Sequence, residues 1–135
     1  MKYWLAKSEP DVYGWDDMVK EKEATWDGVR NYGARNNMMA MEMHDKVLIY
    51  HSNIGKEVVG IAEVSKEHFP DPSDHTGKWS SVKFKPLKKL KKPVPLSFIK
   101  TVPELKDMVL VNNTRLSVQP VLEEEFEKIV ALSEE

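Results

Sequence analysis

The chain has 135 residues, 41% apolar and 31% charged, with no cysteine and a formal net charge of −2. This length predicts one domain over residues 1–135, and its apolar runs fall far short of the ~20 residues a membrane span needs. Disulfides and thiolate metal sites are excluded, an intracellular, cytoplasmic location is expected, and near-neutral charge argues against coating long nucleic acid by bulk positive field.

Met1–Pro10 reaches a charge and a proline too early for a signal peptide. Residues 2–6 read as a strand, and Pro10 pushes Glu9 away from helical geometry and opens a loop. A short helix is predicted over Trp15–Glu23, with Asp16 and Asp17 favourable in its first turn. Trp26-Asp27-Gly28 reads as a turn, and a second helix over Val29–Met41 turns its methionines inward. Lys46–His51 reads as a buried strand, followed by a turn at Asn53-Ile54-Gly55 and a hairpin partner over Glu57–Val64. Gly60 within that partner marks a bulge or a close backbone approach.

The prolines of Phe69–Asp74 predict a loop. Trp79–Leu87 alternates Val82 and Phe84 with Lys83 and Lys85, as a half-buried strand does, and Pro93 and Pro95 are expected to close it. Ser97–Lys100 and Pro103–Met108 read as short helical turns, with Ser97 and Thr101 or Val102 as caps. Leu116–Gln119 is a final strand, and Leu122–Leu132 a helix with Leu122, Phe126, Ile129 and Val130 on one stripe. Strands interleaved with short helices predict an α+β protein built on a strongly bent mixed sheet or barrel.

Phosphate loops, GxGxxG, HExxH and GxSxG are all absent. Histidines 44, 51, 68 and 75 lack ligand spacing, so neither a metal nor a cofactor is expected. What stands out is polar clusters beside aromatic residues: Lys7-Ser8-Glu9 after Tyr3 and Trp4, Arg30 to Asn37 after Trp26, His51-Ser52-Asn53 after Tyr50, and Asn112-Asn113-Thr114-Arg115 before Ser117 and Gln119. Forked hydrogen-bonding groups read base edges, and Trp or Tyr faces stack on rings.

Each residue also has a plainer role open to it. Trp4 suits a core, and Ser8 a turn before Pro10. Arg30 and Arg35 could pair with Asp27 and Glu42, Asn36-Asn37 could end a helix, and His51 could be a satisfied strand-end residue. The six lysines from Lys83 to Lys92 suit a solvated strand edge.

The clusters gain meaning together. YWLAKSEP at 3–10, W.GVRNYGARN at 26–36, DKVLIYHSN at 45–53, VVGIAEV at 58–64, PDP at 70–72 and RLSVQPV at 115–121 resemble the EVE domain family over nearly the whole chain. One departure is Gly33, where the family usually has Gln. The resemblance implies a PUA-like fold, kinship with YTH domains, and recognition of modified bases, notably modified cytosine in DNA.

On that basis the expected partner is nucleic acid, DNA or RNA, without membrane or metal. Trp4 and Trp26 are candidate aromatic walls for a flipped base. Ser8, Glu9, Asn31, Tyr32, Asn36, His51 and Ser52 are candidates for contacts to the base, with Arg30 meeting phosphate or a carboxylate. Lys7, Arg35, Arg115, Ser117 and Gln119 are candidates for phosphate or pocket support. A rival reading, taken from the related ASCH class, is a small amidohydrolase using Lys7, Ser8, Glu9 and His51 for proton transfer on a modified nucleoside. A third is a small-molecule sensor or interaction module.

Overall fold

A computed structural model describes residues 1–113 and 115–135; Thr114, a member of one polar cluster, lies outside the described residues. In β1 (Tyr3–Ser8) the residues Trp4, Leu5 and Ala6 are all buried, so both faces of the strand are covered and the segment reads as an unbroken apolar run. Its neighbours are β3 (Lys46–His51), in parallel, and β6 (Val118–Val121), antiparallel. The long strands β4 (Glu57–Pro70) and β5 (Ser80–Pro95) fold back in turn, and the short β2 (Ala24–Trp26) pairs with β5 over Val82–Phe84. The six-stranded order is β2-β5-β4-β3-β1-β6, an open sheet rather than a closed barrel. Register shifts along β4 and β5 supply its bend.

Side chains alternate across this sheet, so it carries two cores. Trp4, Ala6, Val47 and Ile49 join Phe84 and Val118 under α1 (Trp15–Glu21) and α2 (Tyr32–Ala40). Leu5, Leu48 and Tyr50 lie in the other core. It is capped by α3 (Leu96–Ile99), a 3-10 turn at Pro103–Leu105, α4 (Val109–Asn112) and α5 (Glu123–Ser133).

Several local expectations change. The predicted turn at Trp26 is the end of β2, and Gly28 just beyond it has a φ of 76°, which favours glycine. The second helix begins at Tyr32 because the Asn31 side chain caps it, accepting from the Ala34 N–H at 2.9 Å. Met38 and Met41 are buried in the core while Met39 faces solvent. Phe69 and Pro70 belong to β4, so the loop starts at Asp71.

Strand β5 runs through Pro86 and Pro93 to Pro95. It can do so because β2 covers it only over Val82–Phe84, leaving the rest of that flank without ladder bonds for a proline to forfeit. Lysines along β5 pair with acids: Lys83 with Glu23 at 3.7 Å, Lys85 with Glu63 at 3.7 Å, and Lys88 with Glu134 at 3.6 Å. Pro95, not Ser97, precedes α3, and the exposed Leu122 precedes α5 instead of joining its buried stripe.

Gly60 is explained by a close approach of a side chain. A Cβ there would stand 2.5 Å from Cζ3 of the buried Trp15 indole. Gly60→Ala is therefore expected to destabilise the fold by about 1–3 kcal/mol, the range for overpacking a well-filled core. Urea unfolding checks this; an unchanged midpoint would mean that the Trp15 ring moves aside freely.

Candidate nucleic-acid interface

A cavity of about 770 Å³ opens where the end of β1, the turn after it and strand β2 converge. Trp26 lies in its wall, 7% exposed, its ring 5.1 Å from Phe84 and edge-on to Tyr13 at 6.3 Å. This packing fixes the indole plane before any ligand arrives. The Tyr13 hydroxyl donates to Glu21 at 2.7 Å; burial, this bond and the charges of Glu21 and Asp17 raise its pKa.

Lys7, Ser8 and Glu9 bring the opposite side of the cavity. Their backbone is pinned: the Lys7 N–H donates to the Ser117 carbonyl at 2.9 Å, and the Ser8 carbonyl accepts from Ser52 N–H at 2.8 Å and Ser52 Oγ at 3.2 Å. Burial lowers the Lys7 pKa. The Ser8 hydroxyl oxygen is buried with no hydrogen-bond partner among the described residues. Glu9 and Asp27, both in the cavity wall, make no side-chain hydrogen bond or ion pair there either. Glu21 and Glu23 add two further carboxylates against the cations of Lys7 and Arg30. That balance disfavours a phosphate inside and suits a flat ligand carrying N–H donors.

Arg30 is held in the wall by Asp71, whose side chain is fully covered. Asp71 Oδ2 accepts from the Gly28 N–H at 2.9 Å and from Arg30 Nη1 at 3.0 Å. Its Oδ1 accepts from the Ser73 N–H at 2.7 Å and the Ser73 hydroxyl at 2.6 Å. Burial alone would raise the Asp71 pKa, but the bonds from Ser73, Arg30 and Gly28 outweigh it and hold the pKa at about 2. Among the described residues no three His, Cys, Asp or Glu side chains gather as a metal site would, and no helix is long and apolar enough to cross a membrane.

Comparison with known proteins decides the family: the EVE domain matches residues 2–132. The chain belongs to the EVE domain family. This EVE domain is similar to Rpa0253 from Rhodopseudomonas palustris, at 46% identity over 99% of this chain and 94% of that one, with a TM-score of 0.94. It is also similar to human THYN1, solved in complex with 5-methylcytosine-containing DNA, at 32% identity over 100% and 99% of the two chains and a TM-score of 0.90. The YTH domain of Zygosaccharomyces rouxii MRB1 shares the fold alone, at 18% identity, 99% and 85% coverage and a TM-score of 0.60. The fold is α+β and PUA-like.

Of the residues singled out in the sequence, the cavity of this EVE domain gathers Lys7, Ser8, Glu9, Trp26, Arg30 and Ser117. The rest lie elsewhere. Trp4 is a core residue, 5% exposed, with its indole N–H donating to Asp45 at 3.0 Å, and it is not part of this cavity's wall. Asn31 caps α2. Asn36 accepts from the Arg35 guanidinium at 2.9 Å, which also donates to the Lys78 carbonyl at 3.1 Å; Glu42 pairs with Lys2, and Asp71 takes the place expected of Asp27. Tyr32 is exposed and stacked on Trp79, and Ser52 serves the Ser8 backbone. Arg115 lies on the surface, while Gln119 is buried and donates to the Leu116 carbonyl at 2.8 Å.

His51 lines a second cavity of about 430 Å³ with Trp15 and Glu57. Its Nε2 accepts the Trp15 N–H at 3.0 Å, which requires a neutral ring, and burial lowers its pKa against the opposing charges of Glu57 and Asp16. Gly33 sits in the first turn of α2 outside the cavity wall, so its departure from the family pattern removes no side chain there. Sequence reasoning missed Tyr13, Glu21, Glu23 and Thr25 in the wall because β2 was read as a turn, and it missed Asp71. The PDP motif was the signal for Asp71, but the partners that tie it to the cavity wall, Arg30 and Gly28, are 41 and 43 residues away.

Proposed function

We propose that this EVE domain is a reader of modified cytosine in DNA, holding one flipped base in the cavity and carrying out no reaction. The observation that carries the reading is the meeting of a rigid aromatic wall, Trp26, with carboxylates at Glu9 and Asp27 that have no partner among the described residues. An aromatic face stacks on the ring, and a carboxylate accepts from the cytosine amino group. A human relative at 32% identity solved with 5-methylcytosine DNA supports the same ligand class. A nucleic-acid ligand also fits an intracellular, cytoplasmic protein. A hydrolase would need Lys7, Ser8, Glu9 and His51 together. His51 lines the other cavity with its Nε2 already engaged, which favours binding over proton transfer.

The test is affinity for single strands and duplexes carrying one 5-methylcytosine or one cytosine, with the recovered bases analysed for chemical change. Tighter binding of the methylated strand with intact bases is expected; equal binding, or altered bases, would overturn the reading. Ser8→Ala sharpens it. The Ser8 hydroxyl has no partner among the described residues, so its removal is expected to leave stability within about 0.5 kcal/mol. Affinity for the methylated strand is expected to fall roughly 2- to 12-fold, the worth of one ordinary hydrogen bond. Unchanged affinity would take Ser8 out of the contact set.

A further inference from the structure

Beside the cavity lies a second feature that base capture does not use. Tyr32, at the start of α2, and Trp79, just before β5, stack at 4.9 Å between centroids with planes inclined by 28°. The Arg35 guanidinium stands 4.8 Å from the Tyr32 ring centroid and 5.9 Å from that of Trp79. The Arg30 guanidinium stands 5.6 Å from Trp79. Arg30 is also part of the cavity wall, so the two features are continuous.

The pair is built in place. The Trp79 N–H donates to Asp74 at 2.9 Å and its carbonyl accepts from the Asp71 N–H at 3.0 Å, which fixes the backbone that presents the indole. Yet Tyr32 is 56% exposed, the most exposed Phe, Tyr or Trp of the described residues. Cation–π contact alone stabilises a surface cluster only weakly. The charges are also unevenly matched. Arg30 has Asp71, while Arg35 has no carboxylate partner among the described residues and donates only to neutral oxygens. An exposed ring beside an uncompensated guanidinium suits a ligand with both a π-face and an anionic linkage. Successive nucleotides of a single strand are such a ligand.

We propose that Tyr32, Trp79 and Arg35 form an external platform for the single-stranded nucleotides flanking the captured base, with a neighbouring base stacked on Tyr32 and phosphate met by Arg35. This rests on the cavity reading for which base is captured, but it makes a different prediction. The cavity sets the ratio of affinities for methylated and unmethylated strands. The platform adds affinity to both alike, because stacking tolerates any base.

The experiment measures affinity of short single strands, with one central 5-methylcytosine or cytosine, for wild type, Tyr32→Ala, Trp79→Ala and Arg35→Gln, each checked for folding by circular dichroism. Tyr32→Ala and Trp79→Ala are expected to weaken both strands by the same factor, on the order of 10-fold. Arg35→Gln is expected to weaken both and to lower the slope of log affinity against log salt by about 0.7. In parallel, 5-iodouracil placed next to the methylated position should cross-link to Tyr32 or Trp79 on irradiation, as mapped by mass spectrometry. Strand affinity unchanged in all three folded variants, or cross-links confined to other elements, would overturn the platform even if methyl preference is seen. Loss of affinity in these variants without any methyl preference would support the platform and overturn the cavity reading.

Discussion

Replacing Trp26 with alanine is expected to abolish the preference for a methylated strand and to destabilise the fold by about 3–5 kcal/mol. Both effects follow from one position. Trp26 ends β2, packs its indole against Phe84 and Tyr13, and leaves its small exposed fraction in the cavity wall. Alanine removes the core contacts and the stacking surface together, so lost binding could reflect either. Trp26→Phe separates them, because it retains an aromatic ring against Phe84 while shrinking the face offered to a base. Stacking of one base on an aromatic side chain is worth about 1–3 kcal/mol. Trp26→Phe is therefore expected to keep a cooperative unfolding transition while affinity for the methylated strand falls about 5-fold or more. If a folded Trp26→Phe protein binds as wild type does, the base does not rest on this ring.

The second large effect is expected at Asp71, which no ligand need touch. Asp71→Asn sets an amide in place of a carboxylate that accepts from Gly28, Arg30 and Ser73. The amide nitrogen would face donors and leave at least one unpaired. Hydrogen bonds to a charged group contribute about 1.5–3 kcal/mol each, and water partly replaces the lost partner of the half-exposed Arg30. A loss of about 2–4 kcal/mol is expected by denaturant unfolding. Arg30 loses its anchor in the cavity wall and beside Trp79, so strand binding should weaken in the same variant.

The pH dependence carries a sign. The folded-state pKa of Asp71 is about 2, below the usual 3.8, so the unfolded chain binds the proton more readily. Its contribution is complete above pH 3.8 and is lost as pH falls through 2. Asp71→Asn has no such proton to take up. The stability gap between wild type and variant should therefore narrow over that interval. A constant gap would mean that Asp71 is not held ionised by these bonds.

Much of this fold is legible along the chain because its causes are local. The run Lys46–His51 is apolar on both faces and is a strand at those residues. Gly60 reads as a bulge or a close backbone approach; the strand register does shift beside it, but what crowds it is a side chain, the Trp15 indole, set 45 residues away. Strand β2 was missed for a related reason: three residues carry too little pattern, and only pairing with β5 makes them a strand. The family motifs pointed to Lys7, Ser8, Glu9, Trp26 and Arg30, yet the same motifs contain Trp4, Asn31 and His51, which the fold uses for packing and capping.

By itself, then, the sequence determined the family, the first strand and the buried strand Lys46–His51, and a set of polar and aromatic residues from which a base site could be made. Those follow from short-range spacing and side-chain chemistry. Only the tertiary structure decided which members of that set share a cavity. A side chain's free hydrogen-bonding capacity is what remains after all its neighbours are placed, and for Trp4, Arg30 and Asp71 those neighbours lie about 40 residues distant along the chain.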